Sequence, residues 1–382
     1  MGSSMIKIAH VQLLPMLSGV QKVSLDELAR LDTSRYKSFL ICKEEGELTE
    51  ETTKINVENI YVSRFVRNIS PVNDFLALIK LYLICKRHKF DVVHTHSSKT
   101  GVLGRIAAKL AGVPKIVHTV HGFAFPASKS KLEKLVFLMM ERIGGYCSNI
   151  VICLHNDDAK IAINEVGVNP SKVKVVANGV DCKRYSPPCN ENEKQFLRSK
   201  FGFPVDAKVF VMVGRLWKQK NPLCFINSAL SFIASLNDKS NVKFVIVGDG
   251  ELRYELERLV SENGADDFFS FLGWRKDVEL ILKASDFFVL PSLWEGMPLA
   301  ILEAQSCGLP CIVSNIPGNC LLVDDYFDGV KFDLKNKDGL SSAIKYFYFN
   351  DVSEMKLNSR RKIVERFDVE RRVSVMCSIY ES

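Results

Sequence analysis

No stretch of this sequence is long and apolar enough to cross a membrane. The longest apolar run, residues 75–85, has eleven residues and is interrupted by Lys80, whereas a membrane-spanning helix needs about 20. The first residues also lack the basic segment and apolar core of an export signal, and we interpret residues 1–4 as an expression remnant before a native Met5. The sequence therefore predicts a cytoplasmic protein without a membrane-spanning segment.

Paired cysteines and the usual dinucleotide motif are also missing. The 11 cysteines include no Cys-x-x-Cys pair and their number is odd, which is typical of reduced cytosolic cysteines. No Gly-x-Gly-x-x-Gly segment is present, so a dinucleotide cofactor is not supported. With 47% hydrophobic and 25% charged residues, the composition excludes a disordered or fibrous chain, and 382 residues are enough for two domains.

The positive charge is concentrated in the first half of the chain. The net charge is +7, and residues 1–180 contain 24 Lys and Arg against 16 Asp and Glu, or +8, which leaves −1 for the rest. A basic face of this kind suits an anionic lipid or a phosphorylated substrate, unless it is merely a solvated surface. Nucleic acid is disfavoured because the basic residues lack clustered aromatics or a reading motif.

Short β-branched segments alternate with longer amphipathic ones, and this alternation occurs twice. It predicts an α/β protein with two Rossmann-like, doubly wound domains that face each other across a cleft. The pattern breaks near residues 178–193, so we place the domains at 1–181 and 182–353, followed by a charged helical segment, 354–382, for which the N-terminal domain is one candidate packing partner. The predicted strands are Ile6–Val11, Ser38–Cys42, Asp91–Thr95, Lys115–Thr119, Asn149–Cys153, Val173–Val176, Val209–Gly214, Lys243–Val247, Phe268–Leu272, Phe287–Leu290 and Pro310–Val313.

The most informative segment follows the predicted strand that ends at Leu290. A loop leads from this strand into a helix for which Pro298 suits the first turn. Gly296 in the loop lets the backbone approach a ligand closely. The N–H groups of Leu299 and Ala300, at the start of the helix, form an anion site. A diphosphate would fit there.

Two carboxylates flank this anion site. Glu295 precedes the helix and Glu303 lies more than a turn inside it. Carboxylates accept strong hydrogen bonds from sugar hydroxyls, so the pair indicates a hydroxyl-bearing ligand. A Glu that favours the helix dipole and a solvated helical Glu are the alternative interpretation.

A second loop carries two cations to the same edge of the sheet. Residues 214–222 follow a predicted strand and open a helix, which places Arg215 and Lys220 at the same sheet edge as Glu295. Two cations can neutralise a diphosphate leaving group whose charge grows as its bond to a sugar breaks. A structural ion pair is the alternative for Arg215.

Histidines end two predicted strands of the first half. His94 and His96 share one face of their strand, whereas His118 and His121 differ by an odd step. A zinc or hydrolase site on His94, His96 and His121 is conceivable, although no Asp or Glu accompanies them at ligand spacing. His94 and His118 are best explained as core residues, and His121, followed by Gly122, is best placed to reach a cleft.

With these residues in view, the chain resembles the retaining glycosyltransferases of family 4, which have the GT-B fold, over nearly its whole length. Residues 295–303 match the E-x7-E signature of that family, and residues 214–220 match its phosphate-binding Arg/Lys pair. Residues 121–122 match its histidine segment and residues 178–181 its interdomain turn. The segment 91–125 also looks like bacterial capsule and O-antigen transferases that extend a polyprenyl-diphosphate-linked sugar.

The resemblance implies a role for each of these residues. Arg215 and Lys220 would bind the donor diphosphate, Glu303 the ribose hydroxyls and Glu295 the hydroxyls of the donor sugar. His121 would contact the donor sugar near the acceptor. Many relatives have a glycine pair where this sequence has Ser18-Gly19, and Gly19 would let the first loop approach the donor. Further donor contacts are expected at the nucleotide base from Gly273, Trp274 and Arg275, and elsewhere from Gly296, Met297, Leu299 and Ala300.

The implied chemistry is retaining transfer from a UDP-sugar without a metal or other cofactor. The sequence has no Asp-x-Asp, and Arg215, Lys220 and a helix N-terminus can supply the charge that a divalent cation would. The departing phosphate would take the acceptor proton, so a strong enzyme base is unnecessary. His121, Glu295, Arg215 and Lys220 are the expected catalytic residues.

A lipid diphosphate acceptor would explain the basic first half. The segments Arg64–Arg67, Lys80–Lys89 and Lys129–Lys134 mix cations with apolar residues, as segments that lie on an anionic membrane do. Ordinary domain helices that bury these apolar residues are the alternative. We expect peripheral attachment to the inner face of the cytoplasmic membrane, and Lys99, at a predicted helix start, as the residue for the acceptor phosphate.

The leading prediction is therefore a transferase of O-antigen or capsule synthesis. It would move a hexose or N-acetylhexosamine, such as N-acetylgalactosamine, from a UDP-sugar to a polyprenyl-diphosphate-linked saccharide. Three alternatives are a GT-B nucleotide-sugar epimerase, a metal-dependent hydrolase built on the histidines, and a non-catalytic nucleotide-sugar-binding protein.

Overall fold

A computed structural model of the chain describes residues 5–68, 70–123, 125, 130–236 and 241–382. It divides into two compact units: unit 1 comprises Met1–Asn178 and Val369–Ser382, and unit 2 comprises Gly179–Asp368. The boundaries expected from the sequence, after residues 181 and 353, differ from those of the structure, after residues 178 and 368. Residues 1–4 and Lys129, on which sequence interpretations rest, lie outside the described residues.

Unit 1 is built on a seven-stranded parallel sheet with the order β3-β2-β1-β4-β5-β6-β7. Its central strands are buried on both faces, as parallel sheets covered by helices require. The elements are β1 (Ile6–Val11), α1 (Gly19–Leu28), β2 (Tyr36–Cys42), α2 (Glu47–Lys54), β3 (Glu58–Tyr61), α3 (Pro71–His88), β4 (Val92–His96), α4 (Ser98–Ala111), β5 (Lys115–Val120), α5 (Lys131–Cys147), β6 (Ile150–Cys153), α6 (Asn156–Ile161) and β7 (Val173–Val175).

Unit 2 repeats the plan with a six-stranded parallel sheet in the order β10-β9-β8-β11-β12-β13. Both units thus confirm the predicted α/β class with two doubly wound sheets. The elements are α7 (Glu191–Phe201), β8 (Lys208–Val213), α8 (Pro222–Ala234), β9 (Val242–Val247), α9 (Arg253–Glu262), β10 (Phe269–Gly273), α10 (Val278–Ala284), β11 (Phe287–Leu290), α11 (Leu299–Ser306), β12 (Cys311–Ser314), α12 (Pro317–Cys320), β13 (Gly329–Phe332), α13 (Gly339–Phe349) and α14 (Ser353–Arg366).

The last helix of the chain, α15 (Val369–Glu381), completes the core of unit 1. Its Met376, Ile379 and Tyr380 are buried against residues of β1, β2 and β4. The preceding helix, α14, instead belongs to unit 2, where Arg360 donates to the carbonyl oxygens of Tyr185 and Ser306. The chain therefore returns to unit 1 between α14 and α15, which is why the second boundary lies at residue 368.

The described helices include none that is both long and apolar enough to cross a bilayer. The longest of them, α3, has 18 residues and carries Asp74, Lys80, Lys86 and Arg87. This agrees with the absence of a long apolar run in the sequence.

Candidate active site

The carboxyl ends of β8, β9 and β10 meet closely because each is followed by, or ends at, a glycine. Gly248 has φ +137, and a Cβ atom there would lie 2.0 Å from the carbonyl oxygen of Gly214. Its N–H donates to the carbonyl of Gly273 at 2.8 Å. Sequence reasoning missed Gly248, although Gly248-Asp249-Gly250 directly follows a predicted strand. Because these glycines carry no side chains, the backbone at the carboxyl ends of the unit 2 strands is accessible, and ligands of parallel sheets bind at this edge.

The loop after β8 presents the two predicted cations at this edge. The guanidinium of Arg215 lies 4.0 Å from the ring centre of Trp217, a cation–π distance. Lys220 ends a short helical turn, Lys218–Lys220. Asn221 then adopts a left-handed conformation, with φ 52, before α8 begins at Pro222.

Lys220 forms an ion pair with Glu295 in the loop after β11. The distance from Lys220 Nζ to Glu295 Oε1 is 2.6 Å, and the two side chains are 19% and 8% exposed. The hydroxyl of Ser292 donates to the same carboxylate oxygen at 2.6 Å. The structure therefore brings together two residues that lie 75 positions apart in the sequence.

Backbone hydrogen bonds hold the two loops in register. The N–H of Leu293 donates to the carbonyl of Gln219 at 2.8 Å, and the side-chain amide of Gln219 donates to the carbonyl of Trp294 at 3.0 Å. The loop after β8 and the loop after β11 thus form one structure at the edge of the sheet, with a cation from one and a carboxylate from the other.

Helix α12 packs against the backbone of the Glu295 loop. A Cβ atom on Gly318 would lie 2.3 Å from the carbonyl oxygen of Glu295, so only glycine permits this approach. The hydroxyl of Ser314 donates to the carbonyl of Ser292 at 2.5 Å, and Asn319 Nδ2 donates to the carbonyl of Ser314 at 3.1 Å. Sequence reasoning did not single out this support.

The first turn of α11 follows the Glu295 loop, at the position where the sequence predicts a helix start. Pro298 precedes the helix and Met297 is buried, whereas Leu299 and Ala300 are half-buried. Glu303, one turn further, is 5% exposed. Burial and then the neighbouring Glu303 carboxylate raise the pKa of Tyr185 well above its usual value. Glu303 therefore lies beside Tyr185.

The residues expected to contact the nucleotide base lie at the end of β10 and directly after it. Gly273 has φ +65, and Trp274 is 49% exposed. Arg275 donates two hydrogen bonds to Asp277, from Nε at 2.8 Å and from Nη2 at 2.7 Å, and these bonds raise the pKa of Arg275. The exposed indole offers a stacking surface, while Arg275 already has an ionic partner.

In unit 1 the histidines form a connected cluster at the ends of β1, β4 and β5. His96 Nδ1 lies 3.2 Å from His121 Nε2, and His96 Nε2 lies 3.2 Å from His10 Nδ1. His94 contacts the hydroxyl of Tyr380 through Nδ1, at 2.7 Å, and that of Thr119 through Nε2, at 2.8 Å. Parallel pairing of these strands places His10 directly beside His94.

These rings are neutral at neutral pH. Burial, followed by the charge of Arg372, lowers the pKa of His10 and of His121 to about 3. Burial above all also holds the pKa of His94 and His96 well below the usual range. Desolvation disfavours the charged imidazolium, so each ring keeps a single proton.

The cluster differs from the metal set considered from the sequence. Among the described residues, the three side chains close enough to share a metal ion are His10, His94 and His96, whose ligand atoms lie within 4.8 Å of one another. The sequence-based set had His121 in place of His10. All three rings are fully buried, and their nitrogens hydrogen-bond within the set and to His121, Thr119 and Tyr380, so this set offers no open position for a substrate.

Two further predicted residues of unit 1 lie at helix starts. Gly19 is the first residue of α1 and is exposed. Lys99 lies in the first turn of α4, where its ammonium pairs with Asp74 at 2.6 Å and donates to the carbonyls of Val66, at 3.0 Å, and Asn68. An ammonium has three donors, so these contacts already use those of Lys99.

Two family models match the chain, one in each half. "Glycosyltransferase Family 4" matches residues 17–184, and "Glycosyl transferases group 1" matches residues 193–366. An Escherichia coli UDP-Gal:alpha-D-GlcNAc-diphosphoundecaprenol alpha-1,3-galactosyltransferase is 49% identical over 380 residues, which cover 99% of this chain and 97% of the relative. The chain belongs to glycosyltransferase family 4.

A second relative and a solved structure are also similar to this chain. The N,N'-diacetylbacillosaminyl-diphospho-undecaprenol alpha-1,3-N-acetylgalactosaminyltransferase of Campylobacter jejuni is 27% identical over 81% of this chain and 82% of its own. The crystal structure of Anabaena HepE with UDP and glucose superposes with a TM-score of 0.83 at 18% identity, over 98% of both chains. The glycosyltransferase therefore has the predicted GT-B fold.

Proposed function

We propose that this glycosyltransferase moves a hexose, with galactose as the first candidate, from its UDP-sugar to the saccharide of a polyprenyl diphosphate. The observation that carries the proposal is the 49% identity, over nearly the full length of both chains, to a galactosyltransferase whose name specifies UDP-Gal and GlcNAc-diphosphoundecaprenol. That relative favours galactose over N-acetylgalactosamine, which was the example given among the hexoses and N-acetylhexosamines expected from the sequence. Such a transfer belongs to O-antigen or capsule synthesis.

The donor diphosphate would bind at the edge of the unit 2 sheet. Arg215, Lys220 and the first N–H groups of α11 would face developing negative charge there, and fixed cations and dipoles of this kind stabilise a departing diphosphate. The arrangement supports transfer without a metal cofactor. Glu303 would hold the ribose hydroxyls and Trp274 would stack on the nucleotide base. The other proposed donor contacts are Gly19, Gly273, Arg275, Gly296 and Met297.

The Lys220–Glu295 ion pair gives this site a built-in charge balance. Before a donor binds, Glu295 compensates the ammonium of Lys220 at 2.6 Å. When the diphosphate arrives, Lys220 can turn to the phosphate, and Glu295 becomes available to accept hydrogen bonds from the sugar hydroxyls. The two proposed roles are therefore coupled through one contact.

His121 would contact the donor sugar from unit 1. It ends β5 and is followed by Gly122, whose φ is +108. Transfer with retention would proceed with the departing phosphate taking the acceptor proton, so neutral His121 serves as a hydrogen-bonding group. We leave Lys99 out of the acceptor site because its ammonium already has Asp74 and two carbonyl oxygens as partners.

A transfer assay with a defined acceptor tests the proposal. Polyprenyl diphosphate carrying GlcNAc is incubated with UDP-galactose, UDP-glucose, UDP-N-acetylgalactosamine or UDP-N-acetylglucosamine, with and without EDTA, and the lipid product is weighed by mass spectrometry. We expect a mass gain of one hexose from UDP-galactose, unaffected by EDTA, and an α-linkage by NMR. Conversion of the donor without any product on the lipid would support an epimerase, and loss of activity with EDTA would contradict metal independence.

Two exposed apolar stripes in unit 1 support attachment to the membrane that holds this acceptor. On α3 and on α5 the exposed apolar residues recur at helical spacing, and the helix between them, α4, packs against both. Exposed cations, Lys80, Lys86 and Arg87 on one helix and Lys131, Lys134 and Arg142 on the other, accompany them. The exposed apolar residues are Val72, Phe75, Leu76, Ile79 and Leu83 on α3 and Leu132, Leu135, Val136, Met139, Ile143 and Tyr146 on α5.

These stripes weigh against the interpretation that both helices simply bury their apolar residues. Phe65, which the sequence analysis grouped with them, is 1% exposed, so only part of the predicted basic and apolar segments is available at the surface. A surface that combines apolar side chains with cations suits the interface of an anionic bilayer. We propose that α3 and α5 form the membrane-binding face at the cytoplasmic leaflet.

Replacing Phe75 and Leu135 together by serine is expected to weaken vesicle binding about tenfold, because each loses a large apolar side chain from the interface. Cosedimentation with vesicles that contain phosphatidylglycerol, at low and high salt, measures it. Tyr254→Ser on α9 of unit 2 is the matched control, since Tyr254 is 77% exposed and outside both stripes. Equal binding of the double variant and the control would contradict the assignment.

A further inference from the structure

A chain of hydrogen-bonded side chains leads from His121 into the interior of unit 1. His121 Nε2 contacts His96 Nδ1 at 3.2 Å, and His96 Nε2 contacts His10 Nδ1 at 3.2 Å. His10 Nε2 then contacts the hydroxyl of Tyr380 at 3.4 Å. His121 is half-buried, whereas the other three side chains are buried. We call these four residues the histidine chain; it joins a ring at the strand ends to the C-terminal helix.

The protons of this chain cannot be placed independently. Burial keeps the imidazoles neutral, and a neutral imidazole has one donor and one acceptor nitrogen. Each nitrogen–nitrogen contact needs one of each, so the proton position on one ring fixes that of the next. Only two arrangements satisfy both contacts: every ring proton points toward Tyr380, or every ring proton points away from it.

The groups around Tyr380 select between the two arrangements. Its hydroxyl lies 2.7 Å from His94 Nδ1 and 3.4 Å from Glu27 Oε2. Burial raises the pKa of Glu27, but Arg372, whose Nε donates to this carboxyl group at 2.7 Å, opposes that shift and favours the carboxylate, which only accepts hydrogen bonds. A phenolic proton directed to Glu27 is the one placement that leaves a hydrogen in each of these contacts, and the phenolic oxygen then accepts from His94 Nδ1 and from His10 Nε2.

We infer that Tyr380, acting through His10 and His96, sets His121 with its proton on Nε2 and the acceptor lone pair on Nδ1. Tyr380 and the two inner histidines are then positioning residues. In the opposite arrangement the phenolic oxygen would face the Glu27 carboxylate without a proton between them, which leaves a buried acceptor unsatisfied.

The inference specifies what His121 can recognise, and in this respect it rests on the proposed function. An unprotonated Nδ1 accepts a hydrogen bond, so its partner is a hydroxyl of a sugar. A phosphate oxygen or the carbonyl of an N-acetyl group, which only accept, would not pair with it. The histidine chain thus favours a ligand that places a hydroxyl group beside His121 Nδ1.

Nitrogen NMR of the full chain with ¹⁵N-labelled histidine tests the proton position directly. The ring shifts distinguish a protonated from an unprotonated nitrogen, and the spectrum of His121→Asn identifies the His121 signals by their loss. We expect Nε2 protonated and Nδ1 unprotonated in the unmutated protein from pH 6 to 8. A proton on Nδ1, or an imidazolium near pH 6.5, would overturn the inference.

The variant Tyr380→Phe removes the hydroxyl and keeps the ring. We expect the His121 signals to shift toward the other tautomer and kcat to fall about fivefold, the effect of one neutral hydrogen bond. Tyr36→Phe is the matched control: it also removes a buried hydroxyl that contacts α15, through Glu381, but lies outside the histidine chain. Unchanged His121 signals in Tyr380→Phe would overturn the role of Tyr380.

The two readouts separate this inference from the proposed function. If the tautomer is as expected and no sugar is transferred to any lipid acceptor, the histidine chain stands and the proposed function fails. If transfer occurs and His121 carries its proton on Nδ1, only the present inference fails. The spectrum of the unmutated protein needs no variant, so it tests the inference even if a variant fails to fold.

Discussion

Glu295→Gln is expected to lower kcat for sugar transfer about 10²–10³-fold, because the variant loses the charge that strengthens hydrogen bonds to the sugar as the transition state forms. Glutamine keeps the shape and one acceptor oxygen, and the Ser292 hydroxyl can still donate to it at this position. Steady-state kinetics with UDP-galactose and the GlcNAc-bearing lipid measures the effect.

The same variant is expected to bind UDP at least as tightly as the unmutated protein. In the unmutated protein the ammonium of Lys220 is paired with Glu295 at 2.6 Å, and UDP must compete with this ion pair. A half-buried ion pair of this kind contributes up to about 1 kcal/mol, so removing the Glu295 charge is expected to tighten UDP binding by up to about fivefold. Isothermal titration with UDP measures this. Glu255→Gln, at an exposed position of α9, is the control for the change of charge. Weaker UDP binding, or unchanged kcat, would contradict the roles assigned to Glu295.

Lys220→Met is expected to lower kcat/KM for the donor about 10³-fold and to weaken UDP binding 10- to 100-fold. The variant removes a cation that stabilises the diphosphate in the bound donor and more strongly in the transition state. It also leaves Glu295 without its ionic partner, beside the incoming phosphate. Lys220→Met is therefore expected to weaken both catalysis and UDP binding, whereas Glu295→Gln weakens catalysis and leaves UDP binding at least as tight.

Lys218→Met is the matched control for this prediction. Lys218 lies in the same short turn as Lys220 but is exposed, so the control removes the same charge two residues away. We expect it to change kcat/KM less than threefold, since an exposed charge is screened. Equal losses in both variants would show that only the general charge of the loop matters.

The sequence predicts much of the fold because most strands are short apolar runs. Strands β1 and β11 have the predicted bounds. Strands β3 (Glu58–Tyr61) and β13 (Gly329–Phe332) were missed. Both are edge strands with one neighbour, and each has only four residues. Edge strands need little apolar sequence, so their pattern is weak.

The candidate site was predictable where its parts are local in sequence. The loop cations, the Glu295 loop and the start of α11 follow predicted strands, and parallel strands bring their carboxyl ends to one edge. The rule places Lys220 and Glu295 at one edge, whereas their ion pair was not predicted and is seen only in the structure.

Parts that depend on long-range packing could not be predicted. Tyr380 meets His94 across 286 positions of sequence, after α14 and α15 have separated into different units. His10 carries no motif of its own and joins the cluster only because β1 pairs with β4. The close approach of Gly318 to the Glu295 loop likewise depends on the turn into α12.

A crystal structure with bound UDP-galactose tests the central claim most directly. We predict the diphosphate about 3 Å from Lys220 Nζ and from the first N–H groups of α11, the ribose hydroxyls on Glu303, and Glu295 turned from Lys220 to the galactose. A nucleotide bound elsewhere, with the Lys220–Glu295 pair intact at 2.6 Å, would contradict the account.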